Sequence, residues 1–442
     1  MGMRIFLFAG FLILSFLILN TCDSVEPSNN NYNNITISRF DVSVSEAYLS
    51  VIINNATTRH IELLQDNNLN LSFDLAGNDT ILHVLDLEAE TSYTFNAILK
   101  SGEVTVGKSK PLNFTTLTAT NQNFTWEVFT FGNPNYGYST IRDVSIIDEN
   151  DIWVVGEVYQ LDSLGQNDPQ VYGAGHWDGN QWTLMKVPYR DYGNPRPSAS
   201  PGPLFSIFNI LDKIFVTSYA NVLEYLNESW VEKAFFIEDL NFNGQVLQMW
   251  VSDAENIYCV GRNGAIYHVT NSSWSKISSG TETTLSDVWG CIDPITGKEI
   301  KYVTGIHLEV GDEFKLLRIG ENDLVEDLNW EEFANPATIW SNNSFPLFVG
   351  GSYFYTNKDG NWKRIEELSD KSTTCVRGTA LNDIFVCGTF GLMAHYNGID
   401  WKRFDNIAPG AIFSSVAIKD NIVCIVGEIG VNAIIVLGKR IN

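Results

Sequence analysis

Positive charge is what this sequence has least of: 28 Lys and Arg stand against 52 Asp and Glu, a formal net charge of −24. So acidic a surface repels phosphates and anionic headgroups, which excludes nucleic acid as a partner and leaves solubility, or attraction of cations and basic partners, as its use. Cysteine is scarce, six in 442 residues, and no two have the close spacing of a metal site. Cys259, Cys387 and Cys424 fall in the same kind of apolar strand (Ile257-Tyr-Cys-Val-Gly261, Ile384-Phe-Val-Cys-Gly388, Ile422-Val-Cys-Ile-Val-Gly427) and are expected to be buried, free and structural. No metal and no cofactor is expected. Long Glu/Lys-rich runs and helical apolar periods are also missing, which favours an all-β chain. Patterns for a serine nucleophile, a phosphate loop, a zinc hydrolase or a Ser-x-Asp-x-Gly-x-Thr-Trp box do not occur, so no catalytic residue is assigned. Paired carboxylates for glycoside hydrolysis stay open, because their spacing is spatial rather than sequential.

What is present begins with Met1 to Thr21, in which Arg4 precedes the apolar run Ile5 to Leu19. This is the pattern of a signal peptide, too short and wrongly flanked for a membrane span. Leu19-Asn20-Thr21-Cys22 resembles a bacterial lipobox, which implies cleavage before Cys22 and a lipid on that residue; Asn20 and Thr21 depart from the small residues such a motif prefers. Ordinary secretion and a retained anchor are the alternatives. A polar stretch, residues 22–34, reads as a flexible tether, so the chain is expected outside the cytoplasm, lipid-anchored at an outer membrane or cell surface.

The rest of the chain is long enough for two domains. Residues 35–118 alternate in period two and are broken by turn residues, the pattern of a β-sandwich. Leu87, Thr91 and Tyr93 within Leu85 to Ile98, followed by Lys110-Pro111-Leu-Asn-Phe114-Thr-Thr116, resemble the tyrosine-corner and closing strands of fibronectin type III domains. The resemblance implies that Tyr93 bonds back to nearby backbone. The Trp usual on the second strand is absent, Ala47-Tyr48-Leu49-Ser50-Val51 taking its place.

Residues 123–442 repeat. Asn256-Ile-Tyr-Cys-Val-Gly261 to Trp274 aligns without a gap on Asp383-Ile-Phe-Val-Cys-Gly388 to Trp401, and Asp151 to Gly156 with His176 to Trp182 shares the frame. Trp126, Trp182, Trp230, Trp274, Trp330, Trp362 and Trp401 mark successive units 32 to 56 residues apart, a spacing that suits four-stranded propeller blades. Phe413 to Val436 supplies three strands without a Trp strand, and Trp126-Glu-Val-Phe-Thr130 a Trp strand without a blade. Joining them closes the ring and removes exposed edges, giving a seven-bladed β-propeller, with six or eight blades open. The units resemble the propellers of bacterial surface proteins built from Gly-x-x-x-His-aromatic-x-Gly-x-x-Trp blades. That resemblance implies architecture and little about activity.

His176, His268 and His395 recur once per unit and are expected each to bond a neighbouring strand or turn, and the Trp series to pack between blades. Asp143 and Asp287, on inner strands, are expected to bond to an adjacent blade, with a channel-facing cation or polar ligand as the alternative. The repeat is lengthened at Glu157 to Gly175, at Pro188 to Pro203 and at Ile306 to Glu313, in loops that emerge on one common face. Tyr159, Tyr172, Tyr189, Arg190, Tyr192, Arg196, His307 and Glu309 there make a candidate ligand-binding surface for a glycan or a protein. Binding is therefore favoured over two alternatives: a glycan-active extracytoplasmic enzyme using loop carboxylates, and an assembly component of a cell-envelope complex.

Overall fold

The computed structural model describes residues 34–441 except 134, 191–198, 237–244, 272, 307–312 and 333. The signal peptide, Cys22 and nearly all of the tether expected from the sequence lie outside the described residues. The described chain is all-β apart from short 3-10 turns; among the described residues no helix is long and apolar enough to cross a membrane. It divides into two compact units, one running to Ala119 with residues 358–360 and one comprising the remainder.

The first unit is two antiparallel sheets. One orders Ile35–Val42, Ala47–Ile53 and Asp79–Val84; the other orders Asn68–Asp74, His60–Gln65, Ser92–Ser101 and Val104–Lys108, with Leu112–Thr115 also on Ser92–Ser101. Period-two alternation turns Leu49, Val51, Ile61, Leu63, Phe95, Ala97 and Leu99 into one shared core where all are fully buried. The Glu88 backbone N–H donates to the Tyr93 hydroxyl at 2.8 Å, fixing the turn that enters Ser92–Ser101.

The second unit holds seven four-stranded antiparallel sheets among the described residues. Their first strands are Thr140–Asp148, Ser206–Ile210, Val246–Asp253, Thr284–Ile292, Pro336–Trp340, Thr373–Ala380 and Ile412–Lys419. Each first strand packs on the next, and Ile412–Lys419 packs on Thr140–Asp148, so the sheets close in a ring with the first strands innermost. The seventh sheet is built from both ends of the unit: Ile412–Lys419, Ile422–Ile429 and Asn432–Arg440 are completed by Phe124–Phe131, with Val436 opposite Val128. The architecture is propeller-like. Apolar side chains from facing sheets form the core between them, as where Phe385 and Met393 of the sixth sheet meet Phe413 and Val416 of the seventh.

The glycine at or near the end of most second strands has a steric cause. Inner strands carry a bulge, after Ile141, Val246 and Thr373 for example. The bulge presses a carbonyl oxygen onto the neighbouring strand, where a Cβ at Gly156, Gly261 or Gly388 would overlap the oxygen of Thr140, Gln245 or Ser372. The second sheet has Ser218 in this place, and its inner strand pairs Ser206 with Thr217 and runs on without a register shift. No bulge means no need for glycine.

Candidate functional site

The recurring histidines are engaged by their own sheets, and His268 also by the next, its Nδ1 lying 2.9 Å from Asp323 Oδ2 in the turn between the third and fourth strands of the fourth sheet. Asp151, Asn256 and Asp383 open the second strands, and two residues on, facing the same way, stand Trp153, Tyr258 and Phe385. Opposite them, His176 Nε2 is 3.0 Å from Asp151 Oδ1, His268 Nε2 is 3.2 Å from Asn256 Oδ1, and His395 Nε2 is 2.7 Å from Asp383 Oδ1. The imidazoles stack on the aromatic rings at 4.4, 4.2 and 4.6 Å. Each histidine thus joins two strands. In the first unit His60 lies between Asp74 Oδ1 (2.9 Å) and Ser72 Oγ (3.1 Å). That order of groups resembles a hydrolytic triad, but Asp74 is 84% exposed on an open sheet, where water rather than the protein solvates the carboxylate and little activation of Ser72 follows.

Asp143 and Asp287 bind the ring together. The Asp143 carboxylate accepts from the Val144 and Ile207 backbone N–H groups at 2.9 Å, from Ser206 Oγ at 2.9 Å and from Ser415 Oγ at 2.7 Å, so it ties the first sheet to the second and the seventh. Burial pushes its pKa above the ordinary value, against the pull of the Ile207 amide and of the Ser415 and Ser206 hydroxyls. Asp287 repeats the geometry one half-ring away, accepting from Val288 N–H (2.9 Å), Ile339 N–H (3.0 Å) and Thr338 Oγ1 (2.7 Å). It adds a bidentate pair with Arg377, Nη2 to Oδ1 at 2.8 Å and Nη1 to Oδ2 at 3.0 Å. Burial alone would lower the Arg377 pKa; the Asp287 charge reverses that and holds the guanidinium charged.

Arg377 reaches from the sixth inner strand to the fourth, its guanidinium 5.0 Å from the Trp289 ring, and with Gln248 borders two recesses of the ring's centre. One, of about 360 Å³, lies towards the ends of the inner strands and is rimmed by Ile146, Ile210 and Ile418. The other, of about 330 Å³, lies at their beginnings and is lined by Arg142, Arg262, Arg377, Gln245, Ser286 and Thr374 among others. Because successive strands of each sheet run antiparallel, the second recess opens on the end that carries the second-to-third-strand loops and the crossings between sheets. This is the face of the lengthened loops.

Of the residues expected to bind ligand, none lines that recess among the described residues, and Tyr159 is joined to its wall through Glu157 and Arg142. Its hydroxyl donates to Glu157 Oε1 at 2.6 Å, while Glu157 Oε2 accepts from Arg142 Nη2 at 2.7 Å. Arg142 lies 4.7 Å over the Phe205 ring. The bond to Glu157 pushes the Tyr159 pKa up to about 12, so the phenol stays a donor. Tyr172 belongs to a separate cluster in which its hydroxyl donates to Asp168 Oδ2 (3.1 Å) and Lys186 lies over its ring at 5.2 Å. Arg190 is exposed against the outer strand of the second sheet, with Nε 2.7 Å from Glu232 Oε2 and the guanidinium 4.2 Å over Phe235. Tyr189 corrects the expectation: it is 7% exposed, its hydroxyl donates to the Pro203 carbonyl at 2.9 Å, and its ring fills the apolar cluster between the first and second sheets. Tyr192, Arg196, His307 and Glu309 lie outside the described residues.

The arginines of the recess were not among the expected site residues. Arg262 is exposed, and its guanidinium has no partner among the described residues. Their positions carried a signal: Arg142 occupies the bulge of its inner strand and Arg262 follows the repeated glycine. The bulge place faces the recess in each regular unit, as Arg142, Leu247, Ser286, Ala337, Thr374 and Ser414 show, whereas of the residues after the glycine only Arg262 lines it.

No protein-family model matches this chain, and no curated protein matches it. Solved structures do. The structure described as YCF48 bound to D1 peptide is 15% identical over 73% of this chain and 97% of its own, with a TM-score of 0.50. An auxiliary nutrient binding protein from Bacteroides thetaiotaomicron VPI-5482 is 9% identical over 93% of this chain and 99% of its own, with a TM-score of 0.41. Sqt1 of Saccharomyces cerevisiae is 8% identical over 93% and 100%, with a TM-score of 0.39. At such identities the likeness is one of fold, and the first of the three supports a propeller-like ring.

Proposed function

We propose that this chain is an exported, membrane-anchored binding protein whose ring, a seven-bladed β-propeller, takes an acidic segment of a glycan or protein at the arginine-lined recess on its loop-bearing face. The fibronectin type III-like sandwich precedes the propeller, and Cys22 carries the lipid that holds the protein at an outer membrane or cell surface. The Tyr93 corner and the pairing of a three-stranded with a five-stranded sheet support the sandwich assignment. Ring closure by Phe124–Phe131 supports the blade count.

The observation that carries the ligand reading is the exposed, unpaired Arg262 at a concave polar site in a chain of net charge −24. The overall field disfavours anions, so an anion held here is held by short-range bonds: a guanidinium presents paired N–H donors to a carboxylate, and each such charge-assisted bond contributes about 1.5–3 kcal/mol. Arg142 is fixed by Glu157 and Phe205 and shapes the wall beside Tyr159. A peptide is bound by YCF48, whose fold this chain shares.

Soluble protein carrying Cys22→Ser, screened against uronic-acid oligosaccharides and acidic peptides, should bind at least one of them. Arg262→Ala should weaken that binding roughly tenfold or more, about 1.4 kcal/mol or above. Equal affinities of the two proteins would overturn the site. Labelling of the full chain with radioactive palmitate in a bacterial host, lost in Cys22→Ser, tests the anchor.

A further inference from the structure

In the sixth sheet two cysteines face each other. The inner strand Thr373–Ala380 and its neighbour Asp383–Gly388 are antiparallel, and their register sets Cys375 directly opposite Cys387. Both are buried in one apolar cluster with Phe385 and Phe413. Directly opposed antiparallel residues have Cα atoms about 4.5–5.5 Å apart, inside the span of about 4.4–6.8 Å that a disulfide requires. Among the polar neighbours of the two sulfurs, Cys387 Sγ is 3.8 Å from Thr374 Oγ1 and Cys375 Sγ is 3.8 Å from Ser415 Oγ. Cys259, Cys291 and Cys424 belong to other sheets and are paired across their ladders with Met249 and Tyr267, with Ile300, and with Ala417 and Leu437.

We propose that Cys375 and Cys387 become joined by a disulfide when the chain folds in an oxidising compartment. The inference rests on the export part of the proposed function. The oxidant is the exchangeable disulfide of a thiol–disulfide oxidase. One cysteine thiolate attacks that disulfide, forming a mixed disulfide and releasing an oxidase thiolate. The second cysteine thiolate then attacks the mixed disulfide, forming the Cys375–Cys387 bond and expelling the other oxidase sulfur. Two electrons pass to the oxidase, and the two protons lost by the cysteines end on its dithiol. The exchange takes place before the seventh sheet docks, because both thiols are buried once Phe413 and Val416 cover them. The product fastens an inner strand to its neighbour beside the place where the ring closes.

The test uses the full chain in two forms, one with its own first 21 residues and one directed to an oxidising compartment by an independent, proven signal sequence. Each is alkylated under denaturing conditions without reductant, digested and analysed by mass spectrometry. In the second form the peptides of Cys375 and Cys387 should appear linked, two hydrogens lighter than their sum and separated by reductant, while Cys259, Cys291 and Cys424 are alkylated. Both cysteines alkylated in that form would overturn the disulfide, wherever the native leader sends the chain. A first form that stays in the cytoplasm would overturn export separately, and the disulfide is then decided by the second form alone.

Discussion

Asp383 and His395 stand on adjacent strands of the sixth sheet with Oδ1 and Nε2 2.7 Å apart, and the same carboxylate oxygen accepts from Arg440, on the strand of the seventh sheet that meets the amino-terminal segment. One oxygen therefore serves a strand pairing and the junction of two sheets. Burial alone would raise the Asp383 pKa; the bonds from His395 and Arg440 outweigh it and hold the carboxyl below its ordinary value.

Removing that carboxylate strands two buried donors. Asp383→Ala should cost about 3–5 kcal/mol, the range for breaking a buried ion pair by deleting one partner. Asp151→Ala at the equivalent position should cost less, about 1–2 kcal/mol, because Asp151 and His176 are 38% and 30% exposed and water replaces that bond, while the Trp153 indole N–H loses its acceptor. Urea denaturation of both variants measures the contrast, and equal losses would refute the role assigned to burial.

Acid should weaken the fold in two stages. Burial lowers the His395 pKa from its ordinary 6.5, so the unfolded chain binds a proton there before the folded one does. The stability this group contributes is whole above pH 6.5 and is lost as pH falls through the lowered value. Asp383, depressed from 3.8, adds a second loss below that pH, with the same sign. Denaturant midpoints between pH 7.5 and 4.5 should fall in the native protein and flatten in His395→Gln. An unchanged slope in the variant would remove His395 as the cause.

The repeat was legible because most sheets solve the same packing problem with the same residues. Gly261 and Gly388 mark the bulge, Trp274 and Trp401 the outer strand, and the spare Trp strand at Trp126 its partner at the far end of the chain. The site was less so. Tyr189 has the composition of a ligand contact, yet the small pairing of Pro188–Tyr189 with Ser200–Pro201 turns its ring inward, which no periodicity over two residues announces. Arg142, Arg262 and Arg377 lie far apart in the chain and meet only because the inner strands converge, so their cluster is a property of ring closure.

Gly388→Ala puts a methyl group onto the Ser372 carbonyl oxygen, where only backbone can yield. The expected cost is about 3 kcal/mol, the upper part of the range for overpacking. Gly280→Ala meets nothing within 4 Å but sits at φ +74°, so its cost is the smaller one of left-handed backbone, about 1 kcal/mol. Comparable urea midpoints for the two would show that the bulge is softer than its contacts imply.

Ring closure can be tested at a single backbone group. The Ile441 N–H donates to the Asn123 carbonyl at 2.9 Å, and pairs that exchange two bonds recur every second residue, so Thr125, Glu127 and Phe129 donate inward to Asn432–Arg440 while the Val128 N–H points outward from the edge. The Glu127 and Val128 side chains are both exposed, so substitution at either removes little packing. Proline at an edge strand is tolerated only where its missing N–H faced solvent. Glu127→Pro should therefore lose about 3 kcal/mol and speed amide exchange along Asn432–Arg440, while Val128→Pro should leave both close to native. The reverse order of the two variants would mean that the amino-terminal strand pairs in the other register, and a native-like Glu127→Pro would mean that the ring does not depend on this strand.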